Sequence, residues 1–252
     1  MSALLWLTAC AAAPAISPAF ARFAAGTVTV DGRDHPYRLL VPTDATTPLP
    51  LVVFLHGAGE RGDDNERQLT WLPRRMDEPA QRRAHPCWLL AVQCPEDQRW
   101  VDVSWGESAS SPMPAQPSQP MRAVMAAMEQ VLAERPVDPA RVYLTGLSMG
   151  GYGAFDLGCR WPDRFAALLP VCGGGDERAA PRLASLPTWI WHGDQDRAVP
   201  VQRSRAMAAA IRAAGGDVRY TELAGVGHDS WRQAYGDDGA LDWLFAQRRQ
   251  GN

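Results

Sequence analysis

The chain has 252 residues, 46% of them hydrophobic, and a formal charge of -3 from 25 basic and 28 acidic residues. That length suits one large α/β core with little left for a second domain, and the near-neutral balance gives no field that would draw in nucleic acid or an anionic membrane. Every basic residue is Arg, which excludes a P-loop lysine and Schiff-base chemistry on a lysine amine.

Met1 to Ala21 is apolar, rich in small residues and free of charge, as expected of an export leader. Leu7-Thr8-Ala9-Cys10 fits a bacterial lipoprotein box, which would tie the chain to a membrane only through a lipid on Cys10. Ala19-Phe20-Ala21 fits ordinary signal cleavage, and both readings stay open. The segment is too short for a membrane span.

Two strand-like runs follow, Thr27 to Val30 and Tyr37 to Val41, with Asp31-Gly32 as the turn signal of an opening hairpin. Leu51 to Leu55 is a continuous apolar run that ends in His56-Gly57-Ala58-Gly59, the pattern of a strand buried on both faces with a glycine-bearing loop after it. Strands are also expected at Trp88 to Val92, Val142 to Thr145, Ala166 to Val171, Thr188 to Trp191 and Val218 to Leu223. Helices alternate with them at about Ser118 to Glu134, Met149 to Arg160, Val201 to Ala214 and Ser230 to Ala246. The alternation predicts a mostly parallel, doubly wound sheet of about eight strands, in which chemistry collects beyond the carboxyl ends of the strands.

The stretch from Ser104 to Pro120, with four prolines among several serines, is expected to be an irregular loop. Trp100 and Trp105, at its start, are candidates for a substrate-pocket wall, with packing of the loop onto the core as the alternative. The five cysteines, at 10, 87, 94, 159 and 172, lack the paired short spacing of a zinc site, so no metal is expected. Cys87 and Cys94 flank one predicted strand, where ~3.3 Å per residue holds them too far apart to bridge. A Cys159 to Cys172 bridge is left open.

The central signal is Val142 to Gly151, a β-rich run leading through Gly146-Leu147-Ser148-Met149-Gly150 into a helical stretch. A serine at such a strand-to-helix turn is pushed into the open, and the flanking glycines are needed because side chains there would strike neighbouring backbone. Its hydroxyl needs a base. Of the five histidines, His35 and His85 fall away from the carboxyl edge, and His56 and His192 belong to His-Gly turns. His228, directly after the last strand, remains. The acid is expected between serine and histidine in the chain: Asp196 is preferred, Asp194 is assigned to stabilising the turn, and Asp176 is a distant alternative. Backbone N-H groups of Ala58 and Met149 are the expected oxyanion donors. Trp231, three residues after His228, is a third candidate for the pocket.

The stretches Leu55 to Asn65, Gly146 to Gly153 and His192 to Asp196 resemble bacterial α/β-hydrolases. They are closest to small esterases related to feruloyl esterases, polyhydroxybutyrate depolymerases and the phospholipase/carboxylesterases, including predicted peptidases. The resemblance implies a single α/β-hydrolase catalytic domain over 22–252, with Ser148 as nucleophile, Asp196 as acid, His228 as base and Ala58 and Met149 as oxyanion donors. It further implies hydrolysis of a small-molecule carboxylic ester through an acyl-enzyme, without a cofactor. A peptidase or an acyltransferase is the enzymatic alternative. A surface lipoprotein with an unused triad is the non-enzymatic one.

Overall fold

The structure, a computed structural model, describes residues 20–249. The leader expected over 1–21, Cys10 included, lies outside those residues apart from Phe20 and Ala21. The chain runs β1 (Phe23–Val30), β2 (Arg33–Leu40), β3 (Leu49–Leu55), α1 (Leu72–Met76), α2 (Pro79–Ala84), β4 (Trp88–Val92), α3 (Gln119–Glu134), β5 (Val137–Leu147), α4 (Met149–Arg160), β6 (Ala167–Val171), β7 (Thr188–Gly193), α5 (Gln202–Ala213), β8 (Val218–Leu223), α6 (Trp231–Ala234) and α7 (Ala240–Ala246).

The strands form one sheet of eight in the order β1-β2-β4-β3-β5-β6-β7-β8. Only β2 runs against its neighbours, and every pairing from β4 to β8 is parallel. This is the fold class expected from the alternating elements. The opening hairpin turns on Asp31 and Gly32, both at positive φ (50° and 76°), the geometry that matches a two-residue turn to strand twist. β1 starts four residues earlier than the β-branched run predicted, because Ala24 to Gly26 pair in register with Tyr37 to Leu39.

Successive residues of a strand face opposite ways, and both faces here are apolar. From β3, Leu51, Val53 and Leu55 point into a core with Met121 and Val124 of α3, Phe155 of α4 and Ile211 of α5. Val52 and Phe54 point into a second core with Leu72 of α1, Ala234 of α6 and Leu241 and Leu244 of α7. Covered from both sides, the sheet leaves its carboxyl edge as the place where loops meet.

Two expectations change. The helix predicted over Ser230 to Ala246 is two helices, α6 and α7, separated at Gly236 to Gly239, where Gly239 adopts φ 81°. Helices α1 and α2 fill a stretch that gave no helical pattern. Both carry proline in the first turn, where its missing N-H is no loss. Cys87, Cys94, Cys159 and Cys172 are all free and buried, so the open Cys159–Cys172 question resolves as two thiols.

Residues 93–118, between β4 and α3, form an ordered strap across the carboxyl edge. Arg203 of α5, fully buried, donates to the carbonyls of Ala109 and Glu107 in the strap and to that of Gly175. Arg160 donates to Pro114 O and Ala115 O, Tyr152 Oη to Trp105 O, and the N-H of Met113 to Asp176. Ser118 ends the strap by capping α3: its Oγ accepts from Met121 N and donates to Trp100 O.

Candidate active site

Ser148 sits between the end of β5 and the start of α4 at φ 54°, ψ -118°, a conformation that non-glycine residues hold only when the surroundings enforce it. The enforcement comes from close backbone packing. A Cβ on Gly150 would lie 1.9 Å from Leu55 O, and one on Gly146 would lie 2.3 Å from Gly150 O. Gly150→Ala is therefore expected to destabilise the fold by about 3 kcal/mol, read as a lower urea midpoint with unchanged slope.

The His228 loop is docked onto the Asp196 loop largely through backbone. Gln195 N donates to Val226 O (2.9 Å) and Asp194 N to Leu223 O (3.1 Å), and a Cβ on Gly193 would meet Gly227 O and Val226 O at 2.3 Å. Asp194 accepts from Gly225 N (2.7 Å), holding the turn between the two loops. Within this frame the Ser148 hydroxyl lies 2.8 Å from His228 Nε2, and His228 Nδ1 lies 2.7 Å from Asp196 Oδ2. A carboxylate accepts only, so Nδ1 carries the proton and Nε2 is free to accept from the serine. The Asp196 side chain is inaccessible to solvent whereas 28% of the His228 side chain is exposed, so the imidazole can be reached from solvent and its carboxylate partner cannot.

Burial alone would raise the Asp196 carboxyl. Hydrogen bonds from His192, His228 and the N-H of Val199 outweigh it and hold the group well below the usual carboxylate range. Asp176, the distant alternative, lies elsewhere: it binds Arg178 and the strap at Met113.

Ala58 opens a short 3-10 turn after β3 and Met149 opens α4, positions whose N-H groups have no acceptor within their own helix. The first loop is braced from several sides. Arg61 Nε donates to Ala58 O (3.0 Å), and Glu60, its carboxyl raised by burial, accepts from Trp71 Nε1 (3.1 Å). His56 locks the loop to the end of β4: its Nδ1-H donates to Gly57 O (2.7 Å) and its Nε2 accepts from Cys94 N (2.9 Å).

The His56 contact with Cys94 N requires the neutral ring, and burial lowers its pKa to about 4 against the opposing hydrogen bond to Gly57 O. Unfolded, an imidazole titrates near 6.5, so the unfolded chain binds the extra proton between those values. Stability should be complete above pH 6.5 and fall by about 3 kcal/mol as the pH drops to 4. Buried His35, lowered as well, adds in the same direction. Urea denaturation from pH 7 to 4.5 should show this slope, and His56→Asn should flatten it; an unchanged slope would mean His56 is not the titrating group.

The three tryptophans part ways. Trp231 lies with its ring 5.3 Å from the His228 ring, edge-on, and 5.4 Å from Trp71, at one end of a groove of about 300 Å³ that Arg75, Arg232 and Tyr235 also line. Trp105, within the strap, is half-buried under Arg99, and its carbonyl accepts from Tyr152 Oη. Trp100 is wholly buried and donates its indole N-H to His56 O (2.9 Å). It braces the loop after β3 and offers a substrate no surface, which corrects its candidacy for the pocket.

One residue the sequence reading passed over belongs here. His192 Nε2 lies 3.1 Å from Asp196 Oδ2, and its spacing four residues before that aspartate was the available signal. Among the described residues, Cys172, Asp196 and His228 bring three potential metal-ligand atoms within 4.8 Å of one another. Asp196 and His228 are hydrogen-bonded to each other, and burial pushes the Cys172 thiol strongly up, so the group fits side-chain packing better than a metal centre.

Residues 40–237 match the phospholipase/carboxylesterase family. A thermostable esterase of known structure is 38% identical, with a TM-score of 0.82 over 90% of this chain and 64% of that one. Poly(3-hydroxyalkanoate) depolymerase C of Paucimonas lemoignei is 38% identical over 47 residues, 19% of this chain and 11% of that protein. The chain thus spans just under two thirds of the first and about a tenth of the second. A ferulic acid esterase shares the fold at 16% identity, with a TM-score of 0.64 over 88% of this chain and 97% of that one.

Proposed function

Given that the chain belongs to the phospholipase/carboxylesterase family of α/β-hydrolases, we propose that it is a serine esterase that cleaves carboxylic esters through an acyl-enzyme. The observation that carries this reading is the unbroken run Ser148 Oγ, His228 Nε2, His228 Nδ1, Asp196 Oδ2, with contacts of 2.8 and 2.7 Å. His228 takes the serine proton as Oγ attacks the ester carbonyl, and Asp196 stabilises the resulting imidazolium. The N-H groups of Ala58 and Met149 receive the oxyanion. His228 then returns the proton to the departing alkoxide, and water repeats the cycle on the acyl-Ser148.

Because the leaving oxygen must come within reach of His228 Nε2, the alcohol half of the ester lies on the His228 flank, beside Trp231 and the groove it shares with Trp71. The test is turnover of p-nitrophenyl esters from acetate to dodecanoate, with methyl ferulate and a peptide anilide alongside. Ester turnover that stops on fluorophosphonate labelling of Ser148 fits the proposal. Cleavage of the anilide alone would replace it with a peptidase, and silence with an unlabelled serine would leave a binding protein. In this reading the apolar leader makes the protein an exported one, to be checked by mass spectrometry of the mature N-terminus.

A further inference from the structure

His192 ends β7 with its ring wholly buried and in contact with the acid of the proposed triad. Its Nε2 faces two acceptors, Asp196 Oδ2 at 3.1 Å and Val199 O at 3.0 Å, so this nitrogen carries a proton and shares it between them. Its Nδ1 lies 2.7 Å from Ser204 Oγ of α5, which in turn lies 3.1 Å from Gly173 O. The ring is therefore fixed at both ends, to two separate elements.

The consequence falls on Asp196. Its Oδ1 accepts the N-H groups of Ala198 (2.8 Å) and Val199 (2.9 Å), and its Oδ2 accepts one imidazole N-H from His192 and one from His228. Four donors fill the four lone-pair directions of one carboxylate, so rotation about its bond to Cβ would break several contacts at once. The group is held in one plane, and only one direction on Oδ2 is left for His228.

From this geometry we infer that His192 is a positioning residue of the catalytic triad, which fixes through Asp196 the plane and the tautomer of the His228 imidazole. The inference rests on the esterase reading for its kinetic consequence but not for its structural one. His192 makes none of the contacts proposed for substrate, so its loss should appear in kcat and leave KM alone. Groups that orient metal-ligating side chains typically matter by 10- to 100-fold, and by the same orienting role a loss of about 30-fold is expected for His192→Leu. His192→Gln keeps an N-H donor in reach of Oδ2 and should recover most of the loss.

The second readout is the low-field Nδ1-H resonance of His228 in the 15N-labelled protein. It should shift or broaden in His192→Leu and return towards its original position in His192→Gln. Should the Leu variant fail to fold, Ser204→Ala, which frees only the far end of the ring, should move the same resonance and lower kcat a few-fold. Wild-type kcat and an unmoved resonance in a folded His192→Leu would overturn the inference, as would equal losses in the Leu and Gln variants. If the protein hydrolyses no ester at all, the esterase reading fails, and the resonance alone still decides whether His192 orients His228.

Discussion

Ser148→Ala is expected to lower kcat/KM for p-nitrophenyl butyrate by about 10^4-fold or more, with little change in the urea midpoint. The hydroxyl's hydrogen bond to His228 is only part-buried and the imidazole keeps 28% of its side chain exposed, so deleting it leaves no fully buried group without a partner. The strained backbone is imposed by glycines 146 and 150 against Leu55 and is the same for alanine. Catalysis and stability therefore separate cleanly at this position. Steady-state kinetics beside urea denaturation checks the pair of outcomes, and retention of a tenth of the activity would remove Ser148 from the mechanism.

Asp196→Asn is the second large effect, expected at about 10^4-fold in kcat. An amide presents one oxygen and one NH2 where the carboxylate presents two acceptors. With NH2 at the Oδ1 position it opposes the N-H groups of Ala198 and Val199. With NH2 at the Oδ2 position it opposes the protons on His228 Nδ1 and His192 Nε2, and both rings would have to change tautomer. A flipped His228 holds its proton on Nε2 and cannot accept from Ser148. A flipped His192 turns a lone pair towards Val199 O. Neither orientation is free of conflict, so the variant should also lose about 1–3 kcal/mol of stability. A folded Asp196→Asn enzyme with activity near wild type would shift the acid's role to another carboxylate.

The fold was legible wherever apolar runs were long and punctuated: the eight strands, the hairpin at Asp31-Gly32 and helices α3, α4 and α5 all follow from periodicity and turn residues. It was illegible where local pattern is weak. β1 gains its first residues from pairing with β2, since Ala24, Ala25 and Gly26 carry no strand preference of their own. The break between α6 and α7 was written in Gly236 and Gly239, but an amphipathic pattern running through both hid it. At the site, Ser148, Asp196 and His228 could be found by order along the chain and position after strands, and the structure brings all three together. Trp100 could not be placed, because whether an indole faces a cleft or a carbonyl depends on the path of a proline-rich strap. His192 was set aside as the base because it sits in a His-Gly turn at a strand end, and its bond to Asp196 is not written in that pattern.

That strap has an evolutionary consequence. Arg203, Arg160, Arg122 and the Tyr152 hydroxyl grip it through main-chain carbonyls, those of Glu107, Ala109, Pro114, Ala115, Pro117 and Trp105. Main-chain oxygens are the same whatever side chain they carry. Homologues can therefore rewrite the exposed positions of this segment without releasing it, provided its length, the buried Trp100 and Val101, the Ser118 cap and the residues that clasp it are kept. The exposed part of the strap is thus open to drift in sequence at constant shape, and the surface it presents can change without first loosening the scaffold.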